Sequence, residues 1–201
     1  MLRCILFDLD EVLADYDRAV RVGHLADAIG STPEQVRAAI HASGIEDAAD
    51  RGALTPEAYL DALSAFLGRK VSADAWTAAR RTATHVRPDV RDLVARIGAR
   101  MDVALLTNNG VLMARQLRRI APSLFPLFEG RAFASAEFGA IKPDSRVYLA
   151  CLDRPGVPAD ATLFVDDNEA HVQGALRAGL HGHHYRDLAG LSAALATFGL
   201  P

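Results

Sequence analysis

Four carboxylates stand in two pairs along this chain, Asp8 with Asp10 and Asp166 with Asp167. Each pair follows a short apolar run, Cys4-Ile5-Leu6-Phe7 in the first case and Leu163-Phe164-Val165 in the second. Apolar runs of that length, bounded by polar residues, have the pattern of strands buried on both faces of a parallel sheet. Open α/β sheets place their ligand sites outside the carboxyl ends of such strands. Two central parallel strands would therefore bring all four carboxylates to one edge. Like charges that close resist simultaneous ionisation and call for a cation, and oxygen donors suit a hard ion such as Mg²⁺. Asp8 and Asp10 are two apart, which in extended backbone turns both to one side. Strand-end acids also serve as turn residues, and the double aspartate before Glu169 also suits a helix cap. The concentration of charge in Asp8-Leu9-Asp10-Glu11, directly behind a fully apolar strand, favours chemistry over both.

The elements that must hold these residues follow from the rest of the chain. A first strand spans roughly residues 3 to 8. From about residue 15 to 85 the pattern is helical throughout, with no strand signal. Helix starts fall at Ser31-Thr32-Pro33-Glu34, Thr55-Pro56-Glu57 and Ser72-Ala73-Asp74, with Gly30, Gly44, Gly52 and Gly68 as punctuation. Four or five helices are expected there. After Arg87-Pro88 helices and strands alternate. A helix at about 89 to 98 precedes the strand Val103-Ala104-Leu105-Leu106, which ends at Thr107-Asn108-Asn109-Gly110. A helix near 111 to 120 leads to a short strand around Ala132-Phe133-Ala134, and Lys142-Pro143-Asp144 opens the next helix. Strands at about 162 to 165 and 181 to 185 flank a helix from about 168 to 178, and a last helix runs from Leu188 towards Phe198. Such alternation predicts an α/β fold, a doubly wound parallel sheet covered on both faces. The expected core comprises residues 1–14 and 87–201, with residues 15–86 as an inserted helical bundle beside the first strand's carboxyl end. A lid would have to sit there.

Bulk properties narrow the class. The chain has 201 residues, half of them hydrophobic, and a formal net charge of −3. That is ample for a proper core, and it lacks the basic surface expected of a nucleic-acid binder. No apolar run approaches the length of a membrane span, and the N-terminus enters a strand without a signal-peptide pattern. Cys4 and Cys151 lack metal-ligand spacing, which suits a reducing, cytoplasmic setting.

The segment Phe7-Asp8-Leu9-Asp10-Glu11-Val12-Leu13 resembles the first motif of the haloacid dehalogenase superfamily, DxDx(V/T). Thr107-Asn108-Asn109 resembles the second motif, Lys142-Pro143 the third, and Phe164-Val165-Asp166-Asp167-Asn168 the fourth, in the family's order. The helical insertion is similar to the family's small cap after the first motif, so the resemblance covers the whole chain. It implies a Mg²⁺-dependent phosphatase acting on a small phosphorylated metabolite. In that scheme Asp8 is the nucleophile that forms an aspartyl-phosphate, and Asp10 is the acid/base whose backbone carbonyl also faces the metal. Thr107 and the Asn108 N–H hold the phosphate beside a helix N-terminus. Lys142 neutralises Asp8 and the phosphoryl group. Asp167 is the first choice for direct metal coordination, and Asp166 either ligates or orients Lys142.

Dehalogenases of the family generally lack the acid/base aspartate, so Asp10 disfavours halide removal. A phosphomutase related to the phosphoglucomutase branch is the alternative, followed by a non-catalytic binding module. The arrangement around Arg51-Gly52-Ala53-Leu54-Thr55, with Asp166-Asp167-Asn168 followed by Gly174, is similar to small bacterial sugar-phosphate phosphatases. Glu11 and His171 depart from the family pattern, which more often has Gly and Asn there. The remaining features have structural readings. His181-Gly182-His183-His184 lies on a strand, where only two of the three imidazoles share a face. Arg80-Arg81 and Arg115 to Arg119 have the pattern of solvated helix faces. Tyr59, Leu60, Leu63, Phe66 and Trp76 have the spacing of the insertion's own core. His41 is expected to pack, whereas Tyr16 and Asp17 are placed to face the site.

Overall fold

The structure is a computed structural model that describes residues 1–200. The chain opens with β1 (Cys4–Phe7) and β2 (Ala14–Tyr16), followed by α1 (Arg18–Ile29), α2 (Pro33–His41), α3 (Ile45–Asp50), α4 (Pro56–Leu67) and α5 (Ala73–Thr82). It continues through β3 (Thr84–Val86), α6 (Pro88–Gly98), β4 (Asp102–Thr107), α7 (Val111–Ile120) and β5 (Ala132–Ala134). It closes with α8 (Ser145–Asp153), β6 (Thr162–Asp166), α9 (Glu169–Arg177), β7 (His181–His184) and α10 (Leu188–Ala196).

Five strands form one sheet in the order β5-β4-β1-β6-β7, with every neighbouring pair parallel. The first strand is central because all four of its residues are apolar and fully buried, and only an interior strand hides both faces. Ile5 and Phe7 point into a cluster with Val90, Leu93 and Ile97 of α6, Leu117 of α7 and Leu191 of α10. Cys4 and Leu6 point the other way, towards Val147, Tyr148 and Cys151 of α8. Helices thus cover both faces, and the sheet is the doubly wound one that the alternation predicts. Register sets the site. Phe7 stands beside Leu105 on one side and Val165 on the other, so the ends of β4, β1 and β6 lie level.

Between β2 and β3 lie five helices whose ends carry the predicted signals. Thr32 and Gln35 form a reciprocal capping box on α2, Thr55 caps α4, and Ser72 caps α5. Tyr59, Leu63 and Trp76 are buried at the centre of the block, with the Tyr59 and Trp76 rings edge to face at 6.3 Å. Phe66, expected beside them, is instead 52% exposed. A further difference concerns the block's two ends. Residues expected to be helical form the antiparallel pair β2 and β3, with Ala14 opposite Val86 and Tyr16 opposite Thr84. Three residues per strand are too few to show an alternating pattern, and the pairing joins positions some seventy residues apart. The α8 helix begins at Ser145 rather than at Lys142, because Asp144 takes the cap position and accepts the Arg146 N–H at 2.9 Å.

Candidate active site

The expected site residues meet at the carboxyl end of the sheet. Asp8 follows β1 directly, and its N–H continues the ladder by donating to the Val165 carbonyl at 2.9 Å. Thr107 ends β4, and Asp166 ends β6. Lys142 arrives from the loop ahead of α8 and reaches all three strands. Its Nζ donates to Asp8 Oδ1 at 2.8 Å, to Asp166 Oδ2 at 2.7 Å and to the Leu106 carbonyl at 3.1 Å. Lys142 is 2% exposed, so each of its three ammonium protons needs an acceptor, and each has one.

The loop that carries Lys142 is held from two directions. The Asn108 side chain receives the Lys142 N–H at 2.9 Å and donates to the Lys142 carbonyl at 3.0 Å. On the far side Gly174 of α9 lies against Pro143, and a methyl group added there would come within 2.4 Å of the Pro143 carbonyl oxygen. The Thr107 hydroxyl accepts from Asn109 Nδ2 at 2.7 Å, and α7 starts three residues later from Gly110. Thr107 and Asn108 therefore stand before a helix N-terminus, where the exposed N–H groups and dipole favour an anion.

Electrostatics assign the two motif-four acids different surroundings. Asp166 is fully buried. Its oxygens accept from Lys142, from the Asn168 N–H at 2.8 Å and from the His171 ring at 3.1 Å. Burial opposes its ionisation, but Lys142 and His171 outweigh that and hold it below the usual carboxylate range. Asp167 is exposed and raised by burial of its surroundings and by Asp166. Burial pushes Asp8 up to about 7, with Lys142 opposing and Asp166 adding to the rise. One ammonium is thus set against three carboxylates, Asp8, Asp166 and Asp167, whose oxygens lie within 4.8 Å of one another. Among the described residues no other group of acids, histidines or cysteines converges in this way. An all-oxygen donor set with surplus negative charge fits a hard divalent cation.

Asp10 is placed apart from this cluster. Its Oδ2 accepts from Arg80 Nη2 at 2.5 Å, and its Oδ1 is buried with no partner. Arg80, expected on a solvated face, is 1% exposed. The signal was available, since Arg80 falls four residues after the buried Trp76 and so shares its helix face. The guanidinium also stacks on the Tyr16 ring at 3.6 Å from its centroid. Behind it, Arg21 donates to Glu46 at 2.8 Å and to the Tyr16 hydroxyl at 3.0 Å. Tyr59 donates to Glu46 and accepts from Trp76 Nε1 at 3.1 Å. This network is composed of residues from four helices and β2, which sequence spacing does not connect.

A cavity of about 230 Å³ opens between the helical block and the sheet edge, with Asp10, Arg18, His41, Asp47, Asp50 and Asn109 among its walls. His41, expected to pack, is exposed at this cavity. Tyr16 also lines it, whereas Asp17 turns away to cap α1 through the Ala19 and Val20 N–H groups. Glu11 has φ 62°, a left-handed conformation that favours glycine, and its carboxylate pairs with Arg87 at 3.6 Å. The histidine strand is tied into the structure instead: His184 Nε2 meets the Asp167 carbonyl at 2.8 Å, and His181 Nε2 the Asp160 carbonyl at 3.1 Å.

Residues 2–179 match the family described as haloacid dehalogenase-like hydrolase, a span that includes all four motifs. The chain belongs to the haloacid dehalogenase-like hydrolase family. It is 37% identical over 98 residues to Phosphatase MT3486 of Mycobacterium tuberculosis, a match covering 48% of this chain and 44% of that protein. The chain therefore matches less than half the length of that curated relative. Among solved structures, the family enzyme BT-2542 of Bacteroides thetaiotaomicron, in complex with magnesium and inorganic phosphate, superposes with a TM-score of 0.77 at 21% identity, covering 95% of this chain and 99% of that one. A predicted HAD-like hydrolase of Porphyromonas gingivalis gives 0.77 at 22% identity, covering 98% of each. At such identities these two likenesses speak for the fold. No helix among the described residues is long and apolar enough to cross a membrane.

Proposed function

We propose that this hydrolase is a Mg²⁺-dependent phosphatase that cleaves small phosphomonoesters through an aspartyl-phosphate on Asp8. The observation that carries the reading is Lys142, buried and bridging Asp8 and Asp166 beside a hollow of three carboxylates. A structural ion pair would be satisfied by one carboxylate. Two acids on one lysine, with a third beside them, leave room for further positive charge and for an anion. The phosphatase name of the Mycobacterium tuberculosis relative and the magnesium and phosphate in the BT-2542 complex support the same chemistry.

Asp8 is the nucleophile, its carboxylate oriented by Lys142. Its oxygen bonds to phosphorus as the ester P–O bond breaks, and Asp10 gives a proton to the departing oxygen. Asp10 then takes a proton from water as that water attacks phosphorus and releases Asp8. Thr107 and the Asn108 N–H hold phosphate oxygens at the start of α7. Asp8, Asp167 and the Asp10 carbonyl would hold Mg²⁺, with Asp166 committed first to Lys142. Bound there, the cation would offset the charge between the anionic ester and Asp8. The helices between β2 and β3 act as a cap over the site and exclude water. The cavity's charged and polar walls and its small volume suit a hydroxylated leaving group such as a sugar.

The test is a phosphate-release screen over phosphorylated metabolites, with and without Mg²⁺, using Asp8→Asn as the control. Free phosphate as the product, dependent on Mg²⁺ and absent in the variant, is expected. A variant as active as the wild type would defeat the covalent scheme, and an isomeric phosphate in place of free phosphate would indicate a mutase.

A further inference from the structure

The two oxygens of Asp10 have different surroundings. Oδ2 is held by Arg80 of α5 at 2.5 Å, while Oδ1 is buried, unpartnered and part of a side chain that lines the cavity. Arg80 is itself immobilised. Its guanidinium lies on the Tyr16 ring at 3.6 Å, and the Tyr16 hydroxyl is held by Arg21, which Glu46 holds in turn. A buried carboxylate oxygen without a donor is costly, and such orphans persist where a reacting group completes the bonding.

We propose that Arg80 is the positioning residue that presents Asp10 Oδ1 to the leaving-group oxygen, so that the acid/base is assembled only when α5 is seated on the core. The proposal rests on the phosphatase reading and extends it to a residue outside the four motifs. When the P–O bond breaks, its electron pair stays on the leaving oxygen, which takes the proton from Oδ1. In the second step Oδ1 recovers a proton from the attacking water. Arg80 transfers nothing; it fixes which oxygen does so and where. A single salt bridge between remote segments becomes a way of coupling cap closure to proton transfer.

The distinguishing measurement is leaving-group dependence. An alkyl phosphate needs its oxygen protonated as it departs, whereas an aryl phosphate with an acidic phenol hardly does. Arg80→Ala is expected to lower kcat/KM, which reports only the steps through departure of the leaving group, on the order of 10²-fold for an alkyl phosphate and by less than about 3-fold for the aryl ester, the span general acid catalysis commands. The readout is not kcat, because hydrolysis of the aspartyl-phosphate uses Asp10 with either ester. Asp10→Asn should show the same selectivity, Arg80→Ala/Asp10→Asn should be no worse than Asp10→Asn, and guanidinium at non-denaturing concentration should restore part of the alkyl activity to Arg80→Ala. Equal losses on both esters, or none on either, would overturn the role of Arg80. If Arg80→Ala does not fold, Arg80→Lys keeps the charge but loses the fork and the stacking, and must show the same selectivity in weaker form. A wild-type protein that releases phosphate from neither ester would defeat the phosphatase reading itself, a result separable from the failure of Arg80 alone.

Discussion

Replacing Lys142 by Met tests whether the ammonium holds the carboxyl edge of the sheet together. The substitution keeps length and apolar bulk but removes three hydrogen bonds and the positive charge between Asp8 and Asp166. Both acids stay buried, at 7% and 0% exposure, with no cation between them. Removing one partner of a buried pair typically costs about 3–5 kcal/mol, because the remaining charge is uncompensated. Asp8 relieves part of that cost by taking a proton, since burial already raises it to about 7, which places the expectation near the lower end, about 3 kcal/mol. For a chain of this size each kcal/mol shifts Tm by roughly 2–4 °C, so the full range corresponds to a drop of roughly 6–20 °C. Urea and thermal unfolding at neutral pH with EDTA measure it, the chelator preventing any cation from substituting for the ammonium. Adding Asp166→Asn to Lys142→Met should recover stability, because the second change removes the charge that the first stranded. Double-mutant additivity within about 0.5 kcal/mol would show that the two residues are not coupled, and the reasoning would fail.

Two further outcomes follow from the same geometry. Gly174→Ala places a methyl 2.4 Å from the Pro143 carbonyl, so it is expected to cost about 1–3 kcal/mol and to lower kcat by shifting the Lys142 loop; unchanged kcat and unfolding midpoint would refute the close approach. Asp50, at the end of α3 among Glu46, Asp47, Arg21 and Arg80, is raised to about 8, mainly by burial and then by Glu46. Unfolded, it titrates at about 3.9. Between these values the folded chain holds the extra proton, so this group makes stability fall as pH rises. Asp50→Asn should gain on the wild type through that window, read from urea midpoints, and parallel curves would remove the premise.

Much of the site is visible in the chain before it folds. Strands read from continuous apolar runs, Cys4-Ile5-Leu6-Phe7 and Leu163-Phe164-Val165, are ones that pair at the centre, because burial on both faces favours apolar residues. Helix ends were equally legible where a local hydrogen bond makes them, as with Thr32, Thr55 and Ser72. The β2–β3 pair was not, since three-residue strands carry too little pattern and their partners lie far apart in sequence. Phe66 differs too: it stands three residues after the buried Leu63 on the same helix, yet it is exposed.

The sequence by itself singled out Asp8, Asp10, Thr107, Lys142, Asp166 and Asp167 as candidates, because each follows a local strand or turn signal. Only the tertiary structure decided their partners and exposure. It gave Asp166 to Lys142 and His171, left Asp167 exposed, and brought Arg80 from the fifth helix onto Asp10. Those pairings depend on register across β4, β1 and β6 and on how the helical block seats on them. Such contacts join residues separated by up to 134 positions, and no local period encodes them.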